Sequence, residues 1–302
     1  MVWRLGINTG FAVNRFSEPE DWIPIVGDEL GLRTVQFTAD LLNPDLPATI
    51  RARYTDKIAS LAASRGVSVT STFTGAFTRV NHLSHPDPEV RSYWISWFRR
   101  FVDISVDIGA SAMGSHFGIF TDSDNRDIDR REERRRQNIR AWHEIGEYAR
   151  DRGLSFLSWE PMSISREQGE TLVETRRLHD DVNRDSPIPF RLCLDVDHGD
   201  VSSPNVDDTD PYAWLGTFAT ETAQVHLKQS KADKGGHWPF IAEHNREGRV
   251  HPDRVLATLH EAGCDDADLL LELSFREREP IDSTVVSALK ESVAFWRRAV
   301  PL

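Results

Sequence analysis

Four ionisable residues in the second half of the chain stand at the ends of short apolar runs. Leu157-Ser158-Trp159 runs into Glu160, Cys193-Leu194 into Asp195, Val225 into His226, and Leu271 into Glu272. The intervals between them are 35, 31 and 46 residues. Three carboxylates and one imidazole form a donor set for one divalent metal ion such as Mn²⁺, Mg²⁺, Co²⁺ or Zn²⁺. Taken singly, each has an ordinary explanation. A carboxylate at a strand end caps a helix or joins an ion pair, and a histidine there is a satisfied hydrogen-bonding group. Together they are harder to dismiss, because several carboxylates gathered on one rim are costly unless a cation or protons compensate.

Such a set is suited to removing a proton from carbon beside a ketone. An ion on the ketone oxygen and the neighbouring hydroxyl stabilises the enediolate as charge develops. Inverting the carbon requires a second group to return a proton on the opposite face, and Glu160 and Glu272 are the candidates for that pair. His198, three residues after Asp195, is placed to orient the ligating oxygens, and His116 ends a further apolar run on the same rim. Packing as a neutral core histidine is the alternative for His116. A phosphorylated substrate needs a cation, for which Arg166, Lys228 and Arg276 are candidates, although exposed arginines commonly bind nothing. His237 and Trp238 lie in a long loop that could close over a substrate, with Trp238 as a packing anchor otherwise. Asn8, Phe37 and Phe117 are candidate pocket walls, with core packing as the alternative.

Elements that could hold these residues on one rim follow from the apolar periodicity. Short runs rich in β-branched and aromatic residues alternate with amphipathic stretches, the pattern of βα units. It predicts strands over 3–8, 34–37, 67–73, 112–117, 154–159, 191–196, 223–227 and 269–273. Helices are expected over 18–30, 48–65, 88–108, 127–152, 167–183, 212–220, 252–262 and 282–299. Gly66, Gly153 and Gly263 stand just past three of them, where a C′ glycine belongs. Eight such units, about 38 residues each, close most simply into an α/β fold of one (β/α)₈ TIM barrel, whose loops after the strands form the active-site face. No composition break divides residues 1–302, so one domain is expected. The irregular stretches 197–211 and 229–251 both follow strands, where long loops are usually functional or disordered. The charge run 127–140 reads as a solvated helix face.

Composition narrows the partners. The 302 residues carry 36 Lys and Arg against 48 Asp and Glu, a net charge of −12, which opposes binding to a nucleic-acid backbone. No apolar run approaches the ~20 residues of a membrane span, and the first residues lack a signal-peptide core. Two cysteines, Cys193 and Cys264, make no disulfide framework and suit a reducing compartment, so a cytoplasmic protein is expected. Trp94, Trp97 and Trp296 belong either to a homo-oligomer interface or to packing between helices.

The ordered set Glu160, Asp195-x-x-His198, His226 and Glu272 resembles the xylose-isomerase-like TIM-barrel superfamily, which includes the tagatose and psicose 3-epimerases and shares its fold with endonuclease IV. The resemblance implies one metal held by Glu160, Asp195, His226 and Glu272, with both glutamates doubling as acid/base groups and His198 touching substrate. VQFTADLLNP at 35–44, STFTGAFTRVNH at 71–82, GSHFG at 114–118 and EPMS at 160–163 resemble more closely the D-erythrulose-1-phosphate 3-epimerases of bacterial erythritol catabolism. That implies a sugar or sugar phosphate as the small-molecule partner. Two positions depart from the pattern: Asp197, where glycine is expected, and Lys228, where a neutral residue is expected. Either could retune substrate choice. The endonucleases use an extra histidine after the third strand and an Asp-x-His after the seventh. Here the third strand leads into Ser71-Thr72-Phe73-Thr74, and Asp233 and His237 have the wrong spacing, so a mononuclear site is expected. An aldose–ketose isomerase, a decarboxylase of a 3-oxo sugar acid and a non-catalytic sugar-binding barrel remain as readings of the same rim.

Overall fold

A computed structural model describes residues 2–231, 234–276, 279 and 281–300; Asp233 lies outside them. The strands are β1 (Val2–Asn8), β2 (Thr34–Thr38), β3 (Ser68–Phe73), β4 (Ala112–His116), β5 (Phe156–Glu160), β6 (Phe190–Asp195), β7 (Thr222–Leu227), β8 (Gln229–Lys231), β9 (Lys234–Trp238) and β10 (Asp266–Leu271). The helices are α1 (Pro19–Pro24), α2 (Ala48–Ser64), α3 (Pro88–Asp107), α4 (Asp122–Arg126), α5 (Ile128–Asp151), α6 (Leu172–Asn183), α7 (Pro211–Thr217), α8 (Ala242–Asn245), α9 (Pro252–Glu261) and α10 (Asp282–Arg297). Eight strands form a closed barrel in the order β1-β10-β7-β6-β5-β4-β3-β2. Every pairing in it is parallel, and the ring closes where Val2 through Ile7 pair with Asp266 through Leu271.

Local chemistry explains the helix limits. Asp87 and Asp127 accept hydrogen bonds from the first-turn amides of α3 and α5, and Pro88 opens α3, a position where a missing N–H costs nothing. Gly66, Gly153 and Gly263 close their helices at φ 63°, 94° and 87°, a region that a side chain disfavours. The sixth helix begins later than the periodicity predicts. Gln168 and Gly169 are left-handed, at φ 69° and 76°, so the chain turns there, and α6 starts where Thr171 caps the Glu174 amide. The last barrel strand starts earlier than predicted, because Asp268 is held in it by Arg4 and Thr70. Within 229–251, expected as one irregular loop, β8 and β9 pair as an antiparallel hairpin and are followed by α8.

The shell between barrel and helices is apolar and aromatic. Trp142 on α5 is buried, stacks within 4.8 Å of Phe98 on α3, and donates its indole N–H to the Phe117 carbonyl at 2.7 Å. Trp97 and Trp296 are buried in the same shell, and Trp94, half-buried, packs 5.7 Å from Trp97 on the same helix. Phe37 and Phe117 are likewise core residues rather than pocket walls. Among the described residues no helix is long and apolar enough to cross a membrane.

One buried group ties stability to pH. Burial pushes His179 on α6 down from 6.5 to about 4. The unfolded chain therefore takes up a proton near pH 6.5 that the folded chain refuses until about pH 4. Stability is lost progressively as pH falls through that window, by up to about 3 kcal/mol. The melting temperature should drop across it, and His179→Gln should flatten the slope. An unchanged slope in the variant would assign the acid sensitivity to another group.

Candidate active site

The order of strands brings the four ionisable residues together. Glu160 ends β5, Asp195 ends β6, His226 lies near the end of β7, and Glu272 follows β10, on consecutive neighbours of the ring. Register completes the alignment: Asp195 pairs with His226, and His116 on β4 pairs with Glu160. One donor atom from each of Glu160, Asp195, His226 and Glu272 lies within 4.8 Å of all the others. Nδ1 of His226 faces Glu160 at 3.0 Å and Glu272 at 3.5 Å. Its Nε2 donates to the side-chain oxygen of Gln36 at 2.7 Å, which also accepts from Asn8. Gln36 thereby fixes the imidazole so that Nδ1 points at the carboxylates, the arrangement that orients metal-binding histidines.

His116 contacts Glu160 at 3.1 Å, so it belongs to the site rather than to the apolar core. His198 anchors its Nδ1–H on the Pro161 carbonyl at 3.0 Å and lies 3.6 Å from Glu160 and 3.7 Å from Asp195. Lys228 is fully buried. Its ammonium is paired with Asp195, bonds to Glu272 at 2.7 Å, and meets Nδ1 of His237 at 2.8 Å.

These neighbours set the charge states. Burial alone would raise Glu160, but His226, His198 and the hydrogen bonds from His116 and His226 outweigh it and hold the carboxyl well below its usual range. Burial likewise opposes Glu272, and His226 with Lys228 brings it down to about 2. Asp195 goes the other way: burial dominates, and the carboxyl rises to about 6 despite His198 and Lys228. His226 is raised well above 6.5, burial being overcome by Cys193, Glu272 and Glu160. The Lys228 charge, ahead of burial, pushes His237 down to about 3, so that ring is a neutral acceptor. Two carboxylates with low and one with high proton affinity in one cluster is the kind of separation that acid/base chemistry uses.

A cavity of about 490 Å³ opens above this floor, lined by Glu160, Glu272, His116, His198, His237 and Asn8. Arg79 and Arg276 also line it. Arg79 is held by Glu167 at 2.9 Å, whereas the Arg276 side chain is 82% exposed. Arg166 is not among the lining residues, and its carbonyl accepts from Phe120 N–H at 2.8 Å. Trp238 stacks on His244 at 5.2 Å, which makes it a packing anchor. Asp40 on the loop after β2 binds the Phe77 amide and the Thr78 hydroxyl, shaping the wall that carries Arg79. Sequence reasoning passed over Gln36, Asp40 and Arg79. The available signal was a polar residue at 36 inside a buried run.

The hairpin over the rim is tied down by Asp197. Its carboxylate accepts from the Gly236 amide at 3.1 Å and from Arg249 at 3.4 Å. A Cβ on Gly235 would lie 2.5 Å from the same carboxylate, so this approach requires glycine there. Three carboxylates, one ammonium and one imidazole leave the cluster at −2 when His226 is neutral, a charge that a divalent ion balances. The oxygen and nitrogen donors therefore fit such an ion.

Comparison with known proteins agrees with the geometry. A family model described as xylose isomerase-like TIM barrel matches residues 27–299. The chain is 45% identical over 297 residues to the D-erythrulose 1-phosphate 3-epimerase of Brucella abortus, covering 98% of this chain and 96% of that protein. A putative xylose isomerase of Rhodospirillum rubrum superposes with a TM-score of 0.88 at 28% identity, covering 99% of this chain and all (100%) of the other. The D-psicose 3-epimerase of Clostridium cellulolyticum, solved with D-tagatose, shares the fold at a TM-score of 0.71 and 14% identity, over 99% and 100% of the two chains. The chain belongs to the xylose isomerase-like TIM barrel family and is an enzyme of its carbohydrate isomerase and epimerase class.

Proposed function

We propose that this enzyme is a metal-dependent 3-epimerase of a tetrulose phosphate, with erythrulose 1-phosphate as substrate, acting as one barrel domain in the cytoplasm. The observation that carries the reading is the placing of Glu160 and Glu272 at one cavity floor, both held as carboxylates. The substrate comes from the relative in Brucella abortus, which carries that name at 45% identity. Glu160, Asp195, His226 and Glu272 are the residues that would hold a divalent ion. When bound, the ion supplies a positive charge against the negative charge that develops on the substrate ketone oxygen.

The chain's own groups perform the proton transfers. Glu272, held ionised and so free to accept, takes the proton from C3, and Lys228 beside it holds the carboxylate in place. Glu160 returns a proton on the opposite face, one that it takes from His116 at 3.1 Å. His198 orients substrate oxygens from its fixed bond to Pro161. Arg79 and Arg276 are the cations at the cavity that suit a phosphate. Leu273 and Met162 line the remaining wall and exclude water from the carbanionic carbon.

Proton NMR in D₂O with Mg²⁺ and each enantiomer of erythrulose 1-phosphate tests this reading. Deuterium should enter at C3 while optical activity decays, and EDTA should stop both. Label at C2, with the ketone moved to C3 to give the 4-phosphate of erythrulose, would indicate an isomerase instead. No exchange with either enantiomer in metal-replete protein would remove the tetrulose phosphate.

A further inference from the structure

We infer that Lys228 is a built-in counter-cation of the metal site, sharing Asp195 and Glu272 with the ion and so setting how loosely that ion is held. The inference rests on the metal site proposed above, and its grounds are geometric. His226 and Lys228 are two apart at the end of β7, so both turn into the barrel while Leu227 joins the apolar core. The ammonium has 0% exposure, so it exchanges no contacts with solvent. An ammonium has three N–H donors, and three groups face them here: Asp195, Glu272 and His237. None is left over for a structural task elsewhere in the fold.

Those carboxylates have little spare capacity. Lys228 meets Oδ2 of Asp195 and Oε2 of Glu272. The other Asp195 oxygen accepts the Asp197 amide at 2.7 Å, and the other Glu272 oxygen faces His226. A divalent ion that takes Asp195 and Glu272 as ligands shares both carboxylates with the ammonium, and like charges oppose one another across so short a gap. His237 holds the ammonium from the far side. It sits on β9, and β9 is tied to the rim through Gly236 and Asp197. The two positions at which the sequence departs from the family pattern, 197 and 228, therefore meet through one hairpin and act on one charge.

The test uses Mn²⁺ alone, with no substrate. Lys228→Met protein is prepared in Mn²⁺, stripped with EDTA, and titrated with MnCl₂ by calorimetry beside the parent and Lys228→Arg. Lys228→Met should bind Mn²⁺ about tenfold tighter than the parent or more, while Lys228→Arg stays near the parent. EDTA should lower the melting temperature of Lys228→Met far more than that of the parent, because the three carboxylates then lack any resident cation. Should the stripped Met variant fail to refold, release of Mn²⁺ from loaded protein to a chelating dye replaces the titration, with slower release expected from the variant. Equal or weaker affinity, or equal or faster release, in Lys228→Met overturns the inference. Because no turnover is read, a protein inactive on erythrulose 1-phosphate leaves this test intact. Failure of parent and variant alike to bind Mn²⁺ overturns both the inference and the metal site.

Discussion

Replacing Glu160 or Glu272 by Gln is expected to lower C3 proton exchange by about 10³-fold or more, with the barrel left standing. An amide keeps the shape of each side chain among its neighbours: His116, His198 and His226 around Glu160, and Lys228, His226 and His237 around Glu272. What the amide cannot do is accept a proton or carry charge to a cation. Inversion needs both faces served, so neither variant should be rescued by the other glutamate. Exchange measured in D₂O, with circular dichroism as the check on folding, decides the matter. Substantial exchange in both single variants would sink the two-glutamate mechanism, since it would leave inversion without a required pair. Loss in only one would reassign the second proton to a histidine, with His116 first in line by distance.

Trp142→Ala is expected to cost about 3–5 kcal/mol from the cavity, and it leaves the Phe117 carbonyl with only the longer 3.3 Å hydrogen bond from Asn138. The residue is buried and packs on Phe98, Phe117 and Phe190. Its bond to Phe117 lies one residue past His116, so the same change loosens the end of β4 at the site. Urea unfolding should show the lost stability as a lower midpoint at unchanged slope. Trp142→Phe should recover most of the packing and none of the hydrogen bond, which separates the two contributions.

The barrel and the four clustered ionisable residues were readable for one physical reason. A parallel strand presents its last residue at the rim, and βα units recur at nearly constant length. Residues 160, 195, 226 and 272 therefore announced themselves by type and interval. Lys228 was singled out in the sequence as a cation for a phosphate; its burial against Asp195 and Glu272 follows from sharing a strand face with His226, two residues before it. Arg166 was drawn to the cavity by its nearness in sequence to Glu160. It is not among the residues that line the cavity, and nearness in sequence does not fix where a loop side chain points. Strands as short as Gln229–Lys231 fall below the length at which alternation is informative, so the hairpin over the rim passed as loop. Gln36 and Arg79 act through contacts with residues distant in sequence, His226 and Glu167, which a one-dimensional pattern does not reveal.

The seam between β1 and β10 has a consequence for how the enzyme comes into being. During synthesis β10 is the last barrel strand to leave the ribosome, and its partner β1 is the first. Until then every nascent chain is an open sheet with two unsatisfied edges, exposed to pairing with other chains. Glu272 follows immediately after that closing strand, so the fourth member of the cluster arrives only with closure. A truncated or stalled polypeptide thus lacks the complete acid cluster, and catalytic competence marks a finished ring.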